Sequence, residues 1–519
     1  MLTYLSRRIA QLLVILLASS FFVYNLEAIA GDPLEELKTS TDPKKEQMII
    51  ALTRQLDLNT PSPIRFFKWL GGIISGLWGN LQMGDSRTGQ SVAEAIGNAV
   101  PVTIRLVLAA TIIAIVLGIT IGVITALRQY SRFDYAVTFI SFLFFSLPIF
   151  WVAVLLKQFL SISFNDWLAD PVIAPSWLIG FGIVSAIFWA GVIGGNIRRI
   201  AVVSATSFAS SAGLAWLLSV TGWFASPVLG PVFIGVGGLA TALLITTAST
   251  GLSNKPARNA SLTMAAVGLA IYYPIQSVLA KDVSGWVLLG LAALTVIVGL
   301  VTGFLFSRED RSPVMRTSAI TAVVIGGMMF LDRLMQEWVP YVSNDYVSYR
   351  PIPTVGQTND MITTELSETP NFWLGSLDSL LHIILPTIAL TIISFAGYVR
   401  YTRGNLLEVL NMDYIRTARA KGLTERTVVM RHAFRNSLIP LTTLMAWDFA
   451  GILGGAIITE SVFGWTGMGT LFRQAITSFD LNLLMGTFII TASLAVSANL
   501  ISDLLYSALD PRIRVGTGE

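Results

Sequence analysis

Residues 411–440 read NMDYIRTARAKGLTERTVVMRHAFRNSLIP, a polar, basic segment set between two hydrophobic stretches and too long for a simple turn. Its first half has the pattern of a short helix. Tyr414, Ala418 and Ala420 offer a small apolar face, while Arg416, Arg419 and Lys421 stay polar. Gly422 breaks the run, because glycine accepts backbone angles that other residues resist. A second short helix follows from Thr424 as N-cap, with Val428 and Val429 inside it. Pro440 then marks the start or a kink of the next hydrophobic helix. Two roles fit such a segment. One is a basic loop kept on the cytoplasmic side by its charge. The other is a docking knob: small residues around Gly422 let a second surface approach the backbone, and the arginines donate to its carboxylates or carbonyls.

The flanking stretches set the class. Of 519 residues, 54% are hydrophobic and 13% charged, with a mean hydropathy of +0.69. A soluble domain carries about 25% charged residues, so most of this chain must sit in lipid. A net charge of +3 with the basic residues at span ends does not indicate nucleic acid. Absence of cysteine excludes disulfides, thiolate metal sites and cysteine catalysis, and His382 and His432 are too few for a histidine-rich metal site. Residues 9–28 follow Arg7 and Arg8 without a small-residue cleavage site, as in a signal anchor with a cytoplasmic N-terminus.

One helical span takes roughly 20 apolar residues. On that length the spans run 8–26, 102–127 and 135–159, the last with a kink at Ser146-Leu147-Pro148. Residues 31–100 are polar and external, and within them Phe66, Phe67, Trp69 and Trp78 mark an interfacial amphipathic helix over 66–78. Six further spans are expected near 176–195, 202–222, 228–248, 261–280, 285–306 and 318–335. Arg198 and Arg199, then Lys255 and Arg258, then Arg308, Arg311 and Arg316 lie at alternate connections, which the positive-inside rule makes cytoplasmic. Lys281 is the exception. The last three spans are 380–401, 439–458 and 484–505, with an external loop over 459–481. About twelve helices result.

Tyr414 to Leu423 (YIRTARAKGL) and Arg431 to Pro440 (RHAFRNSLIP) resemble the coupling-loop signature of binding-protein-dependent ABC importer permeases, in the variant of the dipeptide/oligopeptide/nickel group. Asn499 to Tyr506 and Leu509 to Arg514 are similar to that family's ending. Glu460-Ser461-Val462-Phe463 with Gly467-Met468-Gly469 resembles its loop after the fifth core span. Ala30-Gly31-Asp32-Pro33 resembles the motif after the first. The resemblance implies an all-α polytopic protein with a six-span type I permease core. Residues 1–165 and 346–519 would form the core, and 166–345 an inserted block of about six helices. It implies import of di- or oligopeptides, with nickel or another small solute as the alternative cargo. The implied partners are a homologous second permease, two ATPase domains or subunits that carry the ATP and Mg, and an extracytoplasmic substrate-binding protein. The chain itself would hold no cofactor and would lie in the bacterial cytoplasmic membrane with both termini cytoplasmic. Tyr414, Arg416, Ala418, Arg419, Ala420, Lys421, Gly422 and Leu423 become the candidate ATPase-coupling contact.

Other residues carry narrower hypotheses. The chain contains no GxxxxGK[ST] phosphate loop, so any driving ATPase is another polypeptide. Asp448, next to Trp447 in the middle of a span, is either a pathway residue for a substrate ammonium or a carboxylate bonded to a neighbouring helix. Gly451, Gly454 and Gly455 suit close contact with a second permease or packing within the chain. Glu460 and Trp465 belong to an external gate or docking lip, or to an ordinary turn; Thr466 stands where the family usually has proline. Asp503 is expected to pair with an arginine of the coupling segment, and His382 and His432 to pack or hydrogen-bond. A secondary transporter would show membrane carboxylates at corresponding places in two repeats, and Asp448 stands alone. An intramembrane enzyme would need a nucleophile–base pair or a metal cluster that this composition does not supply.

Overall fold

The structure is a computed structural model that describes residues 2–76, 82–281, 283–307, 311–363 and 371–509. Those residues are almost entirely helical. The chain begins with α1 (Leu2–Ala30), α2 (Glu35–Thr39), α3 (Lys45–Gln55), α4 (Ser62–Gly76) and α5 (Val92–Leu127). Then come α6 (Arg132–Ser146), α7 (Ile149–Leu156), a π-helical turn (Lys157–Ile162) and α8 (Ser163–Leu168). The break between α6 and α7 falls where the sequence reading put a kink. Leu147, ahead of Pro148, takes an extended conformation (φ −80°, ψ 129°), as the ring of a following proline requires.

Six long helices follow: α9 (Pro175–Ile193), α10 (Ile197–Val220), α11 (Gly230–Ser249), α12 (Lys255–Leu279), α13 (Gly285–Phe306) and α14 (Arg311–Gln336). Each matches one expected span. After α15 (Trp338–Val342) and α16 (Asp360–Thr363) come α17 (Phe372–Leu410), α18 (Asp413–Ala420), α19 (Glu425–Thr427), a second π-helical turn (Val428–Ala433) and α20 (Phe434–Gly455). The chain ends with α21 (Ile457–Phe463), α22 (Met468–Thr477) and α23 (Leu481–Leu509). Among the described residues, 11 helices are long and apolar enough to cross a membrane. The expected span 439–458 falls on α20, where Pro440 lies inside the helix and not at its start.

The chain forms two compact units, one of residues 1–158, 354–357 and 383–519, the other of 159–353 and 358–382. In the first, α20 packs on α23 and α5, and α1 on α23. Close approach of α5 to α17 depends on two glycines. A Cβ on Gly118 would lie 2.4 Å from Tyr398 Cβ, and one on Gly122 would lie 2.7 Å from Thr402 Cβ. Small residues four apart are the usual device for bringing membrane helices into backbone contact. The helix over 62–76 corrects the interfacial reading in part. Phe66 and Trp69 are buried against Tyr24 of α1, while Phe67 remains exposed. Trp78 lies outside the described residues.

In the second unit, α9 and α10 pair, and α11, α12, α13 and α14 form a bundle. Its core is Ile234, Ala242, Ala265, Tyr272, Ile325 and Met329. At one end the fully buried Asp332 accepts hydrogen bonds from Tyr272 Oη (2.6 Å), Gln276 Nε2 (3.1 Å), Gln336 Nε2 (3.0 Å) and the amides of Leu229 (2.7 Å) and Gly230 (2.9 Å). A buried carboxylate is costly unless its lone pairs are met, and here they are met by α12, by Gln336 of its own helix and by the entry to α11.

Candidate functional site

The segment 411–433 folds as a knob of two short helical pieces. Ile415, Ala418, Val428 and Ala433 are buried together with Leu406 of α17 and Ala126 of α5, which fixes the knob to the ends of two long helices. This corrects the expected apolar face. The inward pair is Ile415 and Ala418, spaced i, i+3, whereas Tyr414 is 42% exposed and Ala420 is exposed. Tyr414 lies outside the packed seam and its hydroxyl accepts from Asn436 Nδ2 at 2.8 Å. Ala418 faces the chain's own core, so its part in the knob is to let α18 sit down.

Gly422 turns the chain between the two pieces at φ +77°, and a Cβ added there would meet no atom within 4 Å. The position therefore needs glycine for its backbone angle and presents bare backbone to the outside. Thr424 caps α19, its hydroxyl accepting from the Thr427 amide at 3.4 Å. Arg419 forks onto Glu425 (2.6 and 3.1 Å), which holds the Glu425 carboxyl below the usual range and raises the guanidinium. Both side chains are solvated, so the pair contributes about 0–1 kcal/mol. Arg416, Lys421 and Leu423 are exposed, as are Met412 and Met430. The result is an apolar and basic surface around an uncovered turn.

The connection 456–480 has a different character. Glu460 and Trp465 are both buried, at 0% and 1% exposure. Thr103 Oγ1 of α5 donates to Glu460 Oε1 at 2.6 Å, and the Thr470 amide donates to Oε2 at 2.9 Å. Thr103 Oγ1 in turn accepts from the Met468 amide at 2.8 Å. Glu460 thus caps the first turn of α22 from a distance, where the helix dipole favours an anion. Burial pushes its carboxyl up, opposed by these hydrogen bonds. The arrangement explains the Gly467-Met468-Gly469 run. A Cβ on Gly467 would lie 2.3 Å from Glu460 Oε1, and one on Gly469 would lie 2.6 Å from Ile457 Cα.

Asp448 is half-buried on α20 and accepts from Tyr398 Oη of α17 at 2.6 Å. Geometry thus gives it a helix-to-helix bond. The side chain of Trp447, the surroundings of Gly451, Gly454 and Gly455, and the side chain of Asp503 lie outside the described residues. His382 is buried with Nδ1 2.8 Å from Asp378 O, a hydrogen-bonding role as expected. No group of three or more metal-ligating side chains occurs among the described residues.

An ion pair between α6 and α17 has no counterpart in the sequence reading. Arg403 of α17 forks onto Asp134 of α6 at 2.7 and 2.9 Å, with Asp134 at 2% exposure. An aspartate opening a helix after Ser131 is unremarkable in sequence, and its partner is 269 residues away.

Residues 317–515 match the family described as binding-protein-dependent transport system inner membrane component. The match begins inside α14. The chain is 44% identical over 138 residues to the oligopeptide transport system permease protein OppB of Mycobacterium tuberculosis, covering 27% of this chain and 42% of that protein. It is 38% identical over 183 residues to the dipeptide transport system permease protein DppB of Escherichia coli, covering 32% and 53%. A putative peptide permease protein of Brucella ovis is 34% identical over 224 residues, covering 43% and 66%. The chain spans about two fifths to two thirds of the length of these curated relatives. Residues 317–515 are therefore similar to the inner membrane component of binding-protein-dependent transport systems, and parts of the chain are similar to oligopeptide and dipeptide permeases.

Proposed function

We propose that this chain is a membrane permease subunit of an ATP-driven importer of di- or oligopeptides. The observation that carries the reading is the knob at 413–433: its packed side is apolar, its outward side is basic, and its turn at Gly422 is open to a partner. In this reading separate ATPase subunits bind ATP and Mg and move the knob, biasing a two-state permease. Arg416, Arg419, Lys421, Gly422 and Leu423 make the contact, with Tyr414 at its edge and Ala418 and Ala420 shaping the helix behind it.

A second permease completes the pathway, and an external binding protein delivers the peptide. The chain lies in the bacterial cytoplasmic membrane with the knob and both termini inside. That places the 456–480 connection outside, where the buried Glu460 and Trp465 support a structural lip more than a moving gate. Residues 166–345 are the added helical block in this reading, and the family match reaches back into it as far as 317, inside α14. Asp448 holds α20 on α17 in this reading, with a pathway role open to test. The decisive experiment is uptake of radiolabelled dipeptide into proteoliposomes. Transport that requires ATP and co-reconstituted ATPase supports the proposal; transport by this chain alone, without nucleotide, overturns it.

A further inference from the structure

A cavity of about 320 Å³ lies between the end of α1, the turn after it, α4 and the start of α23. That is the lower end of the roughly 300–1,000 Å³ typical of small-molecule sites. One wall is apolar, formed by Leu34, Leu56, Leu58 and Phe479. Phe479 closes against Gly31, where any Cβ would overlap its ring. The other wall carries Glu27, Asp32 and Arg65.

Other charges around this cavity are mutually satisfied. Asp32 pairs with Lys38, Asp57 with Lys68 at 2.7 Å, and Glu36 with Arg87 at 2.7 Å. Glu27 and Arg65 differ. Glu27 Oε1 and Arg65 Nε are shielded from solvent and hydrogen-bond to nothing in the chain. The Arg65 guanidinium also lies over the Tyr24 ring, 5.8 Å from its centroid, and interacts with the Tyr24 hydroxyl, so the unpartnered atom is its Nε. Leaving a shielded polar atom of a charged group without a partner costs more than an ordinary hydrogen bond returns. A ligand that brings a donor to one and an acceptor to the other removes both costs.

We infer that this cavity binds a small zwitterion, its ammonium on Glu27 and its acidic group on Arg65, with an apolar portion against the leucines. Two sources share that chemistry: a free amino acid, and the headgroup of an ethanolamine phospholipid. The second is possible because Phe22, Leu26 and Ile29 leave an apolar face of α1 exposed next to the site.

The test uses the full chain in phosphatidylglycerol nanodiscs. Equilibrium dialysis measures radiolabelled leucine, leucinamide and 4-methylvalerate, and native mass spectrometry measures retained phosphatidylethanolamine. Leucine binding at least tenfold tighter than either singly charged analogue identifies the free amino acid. Phosphatidylethanolamine retention without leucine binding identifies the headgroup. In either case Glu27→Gln and Arg65→Gln each weaken binding at least tenfold. Equal binding of the three soluble probes without phosphatidylethanolamine retention, binding unchanged in both variants, or no binding in either arm overturns the inference. The wild-type selectivity arm does not depend on the variants folding. No nucleotide, ATPase or transport enters the assay, so its outcome is separate from that of the proposed function.

Discussion

Replacing Gly422 separates two reasons for its presence. The residue sits at φ +77° with open space where a side chain would go. Alanine there costs about 1–2 kcal/mol of left-handed strain and no clash. Asparagine tolerates that angle better, so Gly422→Asn keeps the turn at a fraction of the strain while adding a side chain to the bare face. Against a stability of about 5–15 kcal/mol, neither loss unfolds the protein. If the knob docks through its exposed backbone, Gly422→Asn melts within a few degrees of wild type yet loses more than tenfold in ATP-driven dipeptide uptake. Such a loss is about 1.4 kcal/mol at the interface, which one intruding side chain readily supplies. The assays are thermal unfolding of the purified protein and uptake in proteoliposomes holding the partner subunits. Wild-type uptake by Gly422→Asn, with Gly422→Ala impaired in proportion to its stability, would refute the docking argument and leave the glycine a local backbone requirement.

Gly467→Ala forces a methyl to 2.3 Å from Glu460 Oε1 and displaces the carboxylate from the α22 amides; it is expected to cost about 2–4 kcal/mol, read as a lowered unfolding temperature. Asp134→Asn breaks a buried ion pair and leaves Arg403 uncompensated, so a loss of about 3 kcal/mol is expected by the same measurement. Asp448→Asn retains an acceptor for Tyr398 Oη; unchanged uptake and substrate preference in that variant confine Asp448 to helix packing, and altered preference assigns it to the pathway. Burial raises the Glu460 carboxyl above its ordinary value of 4.5, so its contribution to stability is fully present below that pH and is lost as pH rises through the raised value. Unfolding of wild type should therefore show an acid-side gain in stability that Glu460→Gln lacks, and identical pH profiles would contradict the assignment.

The membrane helices were legible because lipid demands uninterrupted apolar runs, and because Arg198, Lys255 and Arg311 mark alternate connections. All six helices from α9 to α14 fall on expected spans, with the starts of α10, α12 and α14 five to seven residues earlier than expected. The knob was legible as two short pieces split by Gly422, but its inward face was not: Tyr414 and Ile415 are equally apolar in pattern, and the choice falls to Leu406 and Ala126. Pairwise geometry across long separations left no local trace. Gly118 reads as one glycine among many until Tyr398 is seen against it. Glu460 reads as a loop acid until Thr103 and the α22 amides surround it. In each case the deciding partner lies on another helix, at a distance no periodicity encodes.

The carboxylate of Asp332 has an implication for biogenesis. Its donors sit on α12 and at the entry to α11, with Gln336 beside it, whereas the acceptor itself is on α14, the last of the six helices to be synthesised. Until α14 leaves the insertion machinery, Tyr272, Gln276 and the amides of Leu229 and Gly230 have no common anchor. The four-helix bundle is thus a structure whose latch arrives at the end of translation, and a chain stopped before residue 332 would leave α11 and α12 side by side but unfastened.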